Sequence, residues 1–408
     1  MPDAARPKVY SIAAHRGFAD ALVAGLAPRY ADRELGLAKL TLLLPSGRSM
    51  RTIREAFVRR AGEDGTRGLL LPRMIAIGDL ELDQSLGSLL DPLDGPVIPP
   101  AIEESDRLFI LARILRETLL DIPPAAALLR LARQAAMTID RLLIEEIEPR
   151  DLLDEQVVQL APELAVHWQK SLRDFAELYY RWEAERDERG VCDAAARRNM
   201  LFRNAVRQWR ASPPEMPIVA AGITSASPAL AQLLRTVSEL PEGAVVIPDL
   251  DLSLSDEIWD ELGRAHPSDG DDTPFGRGDQ LSHPQYHLKL LLNRMGVARG
   301  EVAQWHRRGI GAASPERSRA ISSLFLPPVA SRSWIDLPAD QRRLSGVSIM
   351  EVADLEEEAQ AVAVLARQAL EEPQSGWRSS RPIGTWPNGS FITLPAGRSL
   401  PTTRPDGL

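Results

Sequence analysis

The chain has 408 residues, of which 44% are hydrophobic and 26% charged, and its formal net charge is −9 at pH 7. These values are typical of globular proteins of two or three domains, argue against wholesale disorder, and argue against general electrostatic attraction to nucleic acid. The single cysteine, Cys192, excludes an internal disulfide framework and a cysteine cluster for zinc or iron–sulfur. No apolar run resembles a signal peptide or a membrane span, so we expect a cytoplasmic protein with no membrane role.

The first predicted strand covers residues 9–13 and leads through His15-Arg16-Gly17 into a helix at residues 18–29. In a P-loop protein this turn would carry G-x-x-x-x-G-K-[ST] to hold phosphates. Here it has one glycine and no lysine, so we predict no nucleotide bound in that way. His15 is interpreted as a solvated turn residue, because no carboxylate or nucleophile lies near it in sequence.

The next segment, KLTLLLPSGRSMRTIREAF at residues 39–57, predicts a buried strand, a turn and an amphipathic helix with Ser49 as its cap. The turn Ser46-Gly47-Arg48 would follow the carboxyl end of the strand. Open α/β sheets bind ligands there, and backbone N–H groups at a helix start favour phosphate. An ordinary βα turn without a ligand is the alternative, since P-S-G-R is not diagnostic.

A third strand is predicted at residues 69–75, and a loop rich in Gly, Pro and Asp at residues 86–100 marks a boundary. Residues 102–209 have almost wholly helical periodicity. We therefore predict a doubly wound parallel sheet with a helical insertion. The adjacent carboxylates Glu145-Glu146 and Asp187-Glu188 are interpreted as solvated helix faces rather than acid/base pairs.

The sheet is predicted to resume with a strand at residues 217–221, a turn containing Thr224 and Ser225, and a helix capped by Ser227. A further strand at residues 244–248 ends in Asp249-Leu250-Asp251. Without a supporting set of ligands, these aspartates are interpreted as turn or capping groups.

Two histidines, His283 and His287, have a zinc-compatible spacing, but Pro284 stands where an H-E-x-x-H site has its glutamate. We predict no metal site. Residues 346–352 are predicted to form a strand that leads into a helix ending near residue 370. The sequence after residue 373 lacks periodicity and is predicted to be disordered or the product of a shifted reading frame.

A family resemblance rests on six stretches taken together: LTLLLPSGRSMRTIREAF, GLLLPRMIAIGDL, PIVAAGITSASPALAQLL, LPEGAVVIPDLD, HPQYHLKLLLNRMGV and EVADLEEEAQAVAVLARQAL. They resemble the amino-terminal part of AddB, the nuclease-bearing subunit of bacterial AddAB-type double-strand-break repair helicase–nucleases, in its alphaproteobacterial type. The resemblance covers residues 8–372.

The fold that this resemblance implies is α/β, a parallel-sheet superfamily 1 helicase-like (P-loop-type) domain without a phosphate loop and with a large all-helical insertion. The implied divisions follow the chain. They are a sheet domain at residues 1–100 and 211–340, the helical insertion at 101–210, the start of a second motor-like domain at 341–372, and the disordered or frameshifted tail at 373–408.

The function implied by the resemblance is guidance of single-stranded DNA without ATP hydrolysis by this chain. The implied DNA contacts are Ser46, Gly47, Arg48, Ser49, Arg51, Thr224 and Ser225. The implied partners are an AddA-like subunit, which would supply the motor, and single-stranded and double-stranded DNA ends. ATP and Mg serve the family complex, with no cofactor in this chain. The family's nuclease lies beyond the residues given, so the chain is not expected to cut DNA.

Two other functions are compatible with the sequence. One is a non-catalytic α/β interaction scaffold with no DNA role. The other is a small-molecule enzyme that uses the strand-end loops. The enzyme ranks last, because the sequence offers no nucleophile–base pair, metal set or Gly-rich cofactor loop.

Overall fold

The computed structural model describes these residues: 6–14, 17–30, 36–63, 65, 70–78, 98–118, 123–148, 165–265, 279–305, 320, 322–323, 326–328, 330–339 and 349–371. The chain divides into two compact units, Met1–Leu344 and Ser345–Leu408. His15 and the tail after residue 373 lie outside the described residues.

The first unit contains a six-stranded sheet in the order β3-β2-β4-β5-β1-β6, and every neighbouring pair is parallel. The strands are β1 Val9–Ile12, β2 Thr41–Leu44, β3 Arg73–Ala76, β4 Ile218–Ala221, β5 Gly243–Pro248 and β6 Ala303–Gln304. The protein is therefore α/β with a parallel sheet, as the sequence predicted. The two-residue edge strand β6 was not predicted, because it has no apolar pattern and exists only through its pairing with β1.

The α-helices of the first unit are α1 Phe18–Tyr30, α2 Gly47–Glu63, α3 Glu104–Thr118, α4 Ala125–Glu145, α5 Ala165–Glu188, α6 Ala194–Ala211, α7 Pro228–Glu239, α8 Asp256–Glu261, α9 Pro284–Met295 and α10 Ser333–Asp336. Short 3₁₀ helices lie at Gly36–Lys39, Arg299–Glu301 and Ala330–Arg332. None of the helices in the described ranges combines the length and apolar character needed to cross a membrane.

Side chains of the central strands alternate between two apolar clusters, one on each face of the sheet. Leu42 and Leu44 pack with α1 and α2, whereas Leu43 packs with α6, α7 and α9. Both faces of the sheet are thus covered, which explains why β2 reads as a continuous apolar run.

This division of the helices creates a topological switch point between β2 and β4. The chain leaves β2 into α2 on one face and leaves the neighbouring β4 into α7 on the other. In open α/β sheets the carboxyl ends of strands at such a point border a crevice that binds ligands.

The helices α3 to α6 lie between β3 and β4 in sequence and surround a buried ionic group, here called the Asp193 cluster (Asp193, Arg107, Arg186 and Trp182). Asp193 is fully buried. Its carboxylate lies 2.9 Å from Arg107 Nε and 3.3 Å from Arg186 Nη1, and it accepts a hydrogen bond from Trp182 Nε1 at 3.1 Å. These contacts fix α3 and α5 to the residue that precedes α6.

The second unit contains α11, Leu355–Glu371, near the position predicted for a helix. The strand predicted before it, at residues 346–352, is wrong for the part that the structure describes, because residues 349–352 have no strand structure. Ile349 is 95% exposed and Met350 62% exposed. A short apolar segment forms a stable strand only when neighbouring strands supply its hydrogen bonds.

Candidate functional site

The turns after β2 and β4 leave the same edge of the sheet at neighbouring positions. The two strands pair directly, with Leu43 opposite Ala220. Gly222, which follows β4, has a φ of +77°, and a Cβ atom built on it would lie 3.7 Å from Pro45 Cδ. We call residues 45–51 and 222–225 the strand-end rim. It contains all seven residues predicted to contact DNA.

Backbone packing from a third turn supports this rim. Ile77 N donates to Leu44 O at 2.8 Å, which extends the pairing of β3 with β2 by one residue. A Cβ on the next residue, Gly78, would lie only 2.2 Å from Pro45 O. Glycine is required there because the two main chains approach too closely for any side chain.

The helix α2 begins at Gly47, and its cap is Ser46 rather than the predicted Ser49. Ser46 Oγ accepts a hydrogen bond from Ser49 N at 3.3 Å and lies 3.1 Å from Ser49 Oγ. The prediction was wrong because Gly47 and Arg48 were assigned to the loop, although the first turn of a helix tolerates glycine.

This earlier start changes the chemistry of the turn. The N–H groups of Gly47 and Arg48 belong to the first helical turn, where the helix itself offers no acceptor. With Ser46 and Ser49, they place two backbone donors and two hydroxyl groups beside each other at the positive end of the helix dipole.

Three exposed arginines extend from this turn along α2. Arg48, Arg51 and Arg54 are spaced three residues apart, so they lie on neighbouring positions of one helix side. We call them the arginine row. Arg54 was not among the predicted contacts. One carboxylate, Glu55, is exposed on the same side, four residues after Arg51.

The β4 turn contributes two exposed hydroxyl groups, those of Thr224 and Ser225. The residue after them is held from α9, because Arg294 Nη1 donates to Ala226 O at 2.5 Å and also lies 2.8 Å from Glu145 Oε2. The helix α7 then begins at Pro228 with Ser227 at the predicted cap position, but the Ser227 side chain makes no capping hydrogen bond. Before the turn, Gly222 N donates to Val246 O at 2.9 Å, so the turn that contains Thr224 is held on both sides.

A phenyl ring lies beside the β4 turn. A Cβ built on Gly222 would lie 3.2 Å from Phe18 Cε1, at the first residue of α1. Phe18 begins the helix that follows β1, and its ring limits the space beside the β4 turn.

The turn after β5 is fixed by a residue that the sequence interpretation missed. The side chain of Gln285 donates to Asp249 O at 2.8 Å and accepts from Asp251 N at 3.0 Å. Asp251 Oδ1 accepts from Ser253 N at 2.8 Å, which is the turn role expected for this aspartate. Gln285 lies in the HPQY stretch that carries part of the family resemblance, but the sequence predicted no role for its side chain.

His283 also has a local role, since its Nδ1 accepts from Gln285 N at 3.1 Å and caps α9. In the part of the chain that the structure describes, no three His, Cys, Asp or Glu residues are grouped as a metal site would require.

Comparison with known proteins gives no match, either to a family model or to a curated protein. The resemblance to AddB therefore remains a hypothesis based on the quoted stretches.

Proposed function

We propose that this chain is a helicase-like subunit of a double-strand-break repair helicase–nuclease and guides single-stranded DNA across the strand-end rim without hydrolysing ATP. The observation that supports this proposal best is the shared position of two turns that are distant in sequence. The turn that contains Ser46 follows the carboxyl end of β2, and the turn that contains Thr224 follows the carboxyl end of β4. The two strands are neighbours at a topological switch point.

The chemistry of the rim suits a phosphate backbone. Guanidinium groups, hydroxyl groups and first-turn N–H groups bind phosphate oxygens and carry no information about base sequence. The arginine row continues this surface along α2, from Arg48 through Arg51 to Arg54. A surface of this kind would bind a strand of any sequence, which is what a guiding subunit requires.

The proposal assigns ATP hydrolysis to a partner. The turn after β1 lacks the glycine and lysine pattern of a phosphate cradle. An AddA-like subunit would supply the motor, with its ATP and Mg. A superfamily 1 helicase-like fold for this chain is part of the same proposal.

The test is binding of a fluorescently labelled single-stranded oligonucleotide, measured by anisotropy over a salt series. Each phosphate contact on a single strand contributes roughly 0.7 to the slope of log Kobs against log salt. The double variant Arg48→Ala/Arg51→Ala should bind more weakly and reduce the magnitude of that slope by about 1.4, or two contacts.

Two control variants separate the rim from general charge. Arg181 is an exposed arginine of α5 that pairs with Glu177, and Arg181→Ala should leave both affinity and slope unchanged. Glu55→Gln removes a carboxylate beside the arginine row and should strengthen binding. Equal losses in Arg181→Ala and in the rim variant would contradict a localised rim.

If the wild-type protein does not bind the single-stranded oligonucleotide at about 50 mM salt, the proposal is contradicted, because non-specific phosphate contacts are strongest at low salt. In that case the interaction scaffold with no DNA role becomes the better function.

A further inference from the structure

An open cavity of about 880 Å³ lies beside α9 and includes none of the rim residues. It is bordered by α8, the residues that follow it, α9 and the 3₁₀ helix at Arg299–Glu301. The ionisable residues of its lining are Asp256, Asp260, Arg264, Asp279, Lys289 and Arg299. Formal charges in this set cancel, so the cavity is polar but has no strong preference for an anion or a cation.

One lining residue, Lys289, is a buried amine, with a side chain only 8% exposed. Its Nζ donates to Trp259 O at 2.7 Å and lies 5.5 Å from the centre of the Trp259 ring. The carboxylate of Asp260 is 3.9 Å away and 80% exposed, so solvent screens its attraction.

Lys289 differs in its hydrogen bonds from Gln285 and Asn293, two polar residues on the same side of α9. Gln285 binds two backbone groups, and Asn293 Nδ2 donates both to Arg264 O and to Ala265 O. Among the described residues, Lys289 has one backbone acceptor, Trp259 O, although an ammonium group has three donors.

Burial lowers the pKa of Lys289, and the positive charge of Arg299 lowers it further. Asp260 and Asp279 act in the opposite direction without overcoming the burial. A buried lysine beside a cleft therefore holds more neutral amine at a given pH than an exposed lysine, and neutral amine is the nucleophilic form.

We propose that Lys289 is a nucleophilic amine that forms a reversible imine with a small aldehyde or ketone admitted by this cavity. The nitrogen lone pair attacks the carbonyl carbon, and the carbonyl oxygen takes up a proton. The resulting carbinolamine then loses water: the C–O bond breaks, the second N–H proton leaves, and a C=N bond forms. No oxidant or reductant is consumed.

The chain suits a direct test because it has only four lysines, Lys8, Lys39, Lys170 and Lys289. The folded protein is treated with butyraldehyde and cyanoborohydride at neutral pH, which traps the imine as a stable amine, and the adducts are mapped by mass spectrometry. At neutral pH Lys289 should be the most heavily labelled of the four lysines, because burial lowers its pKa and leaves more of it as the neutral amine. Its labelling should also reach half of its maximum rate at a lower pH than that of Lys8.

Two controls make the result specific. In urea, the four lysines should label at similar rates, because the burial that activates Lys289 is lost. The Lys289→Arg variant keeps a positive charge and a donor for Trp259 O, so it should fold with the same Tm and lose only the dominant adduct. Uniform labelling of the folded wild-type protein, or labelling that spares Lys289, would overturn the proposal.

Discussion

The Asp193 cluster and the arginine row use the same side chain under opposite conditions. In the cluster, Arg107 and Arg186 are largely buried, and both lie within 3.3 Å of one fully buried carboxylate. In the row, Arg48 and Arg51 are exposed on α2. Burial with a fixed partner makes arginine a structural residue, whereas exposure beside a helix start makes it available to an external anion.

The comparison predicts where mutations will affect stability and where they will affect binding. Changes in the Asp193 cluster should lower the free energy of unfolding, because they leave buried charges without partners. Changes in the arginine row should leave folding intact and alter only the salt-dependent binding of single-stranded DNA.

The largest expected effect is that of Asp193→Ala. The change removes the carboxylate that faces two guanidinium groups and Trp182 Nε1, and it leaves those groups buried. Breaking a buried ion pair from one side costs about 3–5 kcal/mol. The measurement is urea unfolding followed by circular dichroism, in which the midpoint should fall sharply.

Asp187→Ala is the matched control, since that carboxylate also lies 3.3 Å from Arg186 but is 68% exposed. Its cost should stay within about 0.5 kcal/mol. Similar losses in the two variants would mean that burial does not distinguish these aspartates.

The second prediction concerns how the rim keeps its shape. Gly78→Ala places a methyl group against Pro45 O and should cost about 1–3 kcal/mol, because the obstacle is main chain and cannot rotate away. Gly47→Ala meets nothing within 4 Å and should stabilise the protein by about 0.4–1 kcal/mol. Thermal unfolding of the two variants measures the difference.

Single-stranded DNA binding adds a second measurement to this pair. Gly47→Ala keeps the backbone N–H of residue 47 and should bind normally. Gly78→Ala should bind more weakly if the close approach at Pro45 positions the Ser46 turn. A Gly78→Ala protein with wild-type stability would show that the close approach is not constraining.

The parallel sheet could be predicted from sequence because its strands are buried on both faces and are bounded by turn residues. Leu42, Leu43 and Leu44 carry that signal. The strand predicted at residues 346–352 had a similar apolar pattern, yet the pattern does not reveal whether a neighbouring strand exists to supply hydrogen bonds.

Contacts over long sequence distances could not be predicted. Asp193 is adjacent to the only cysteine, and the sequence gave no sign of its role. The pair Glu145-Glu146 was noticed in the sequence, but its partners were not: Glu145 pairs with Arg294 and Glu146 with Arg203. Similarly, nothing in HPQY indicated that Gln285 would hold the turn after β5. Spacing along one helix identifies a shared face but not the partner across it.

The third prediction uses opposite pKa shifts in the helices around the cluster. Burial raises the pKa of Asp140, and the nearby Arg107 only partly opposes this. Hydrogen bonds from Arg189 and Arg113 lower the pKa of Glu185. Asp140 therefore holds its proton more tightly in the folded protein than in the unfolded chain, and Glu185 holds its proton less tightly.

The signs of the pH dependence follow. The Asp140 contribution to stability is fully present below its unfolded pKa and is lost as pH rises through the folded pKa. The Glu185 contribution is present above its unfolded pKa and is lost as pH falls through the folded one. Between about pH 3 and 7, the stability difference between wild type and Asp140→Asn should fall with rising pH, and that between wild type and Glu185→Gln should rise. Parallel trends would contradict the assignment of burial as the dominant cause for Asp140.

The smallest expected effect is that of Thr224→Ala/Ser225→Ala, which separates neutral from charged contacts on the rim. Both hydroxyl groups are exposed, so their loss should change stability by no more than about 0.5 kcal/mol. A neutral hydrogen bond to phosphate displaces no counterion, so single-stranded DNA affinity should fall by a similar factor at every salt concentration while the salt slope stays that of the wild type. The arginine variant should change the slope instead. A changed slope in the hydroxyl variant would mean that it moves the arginine row, and an unchanged affinity would remove the β4 turn from the proposed DNA path.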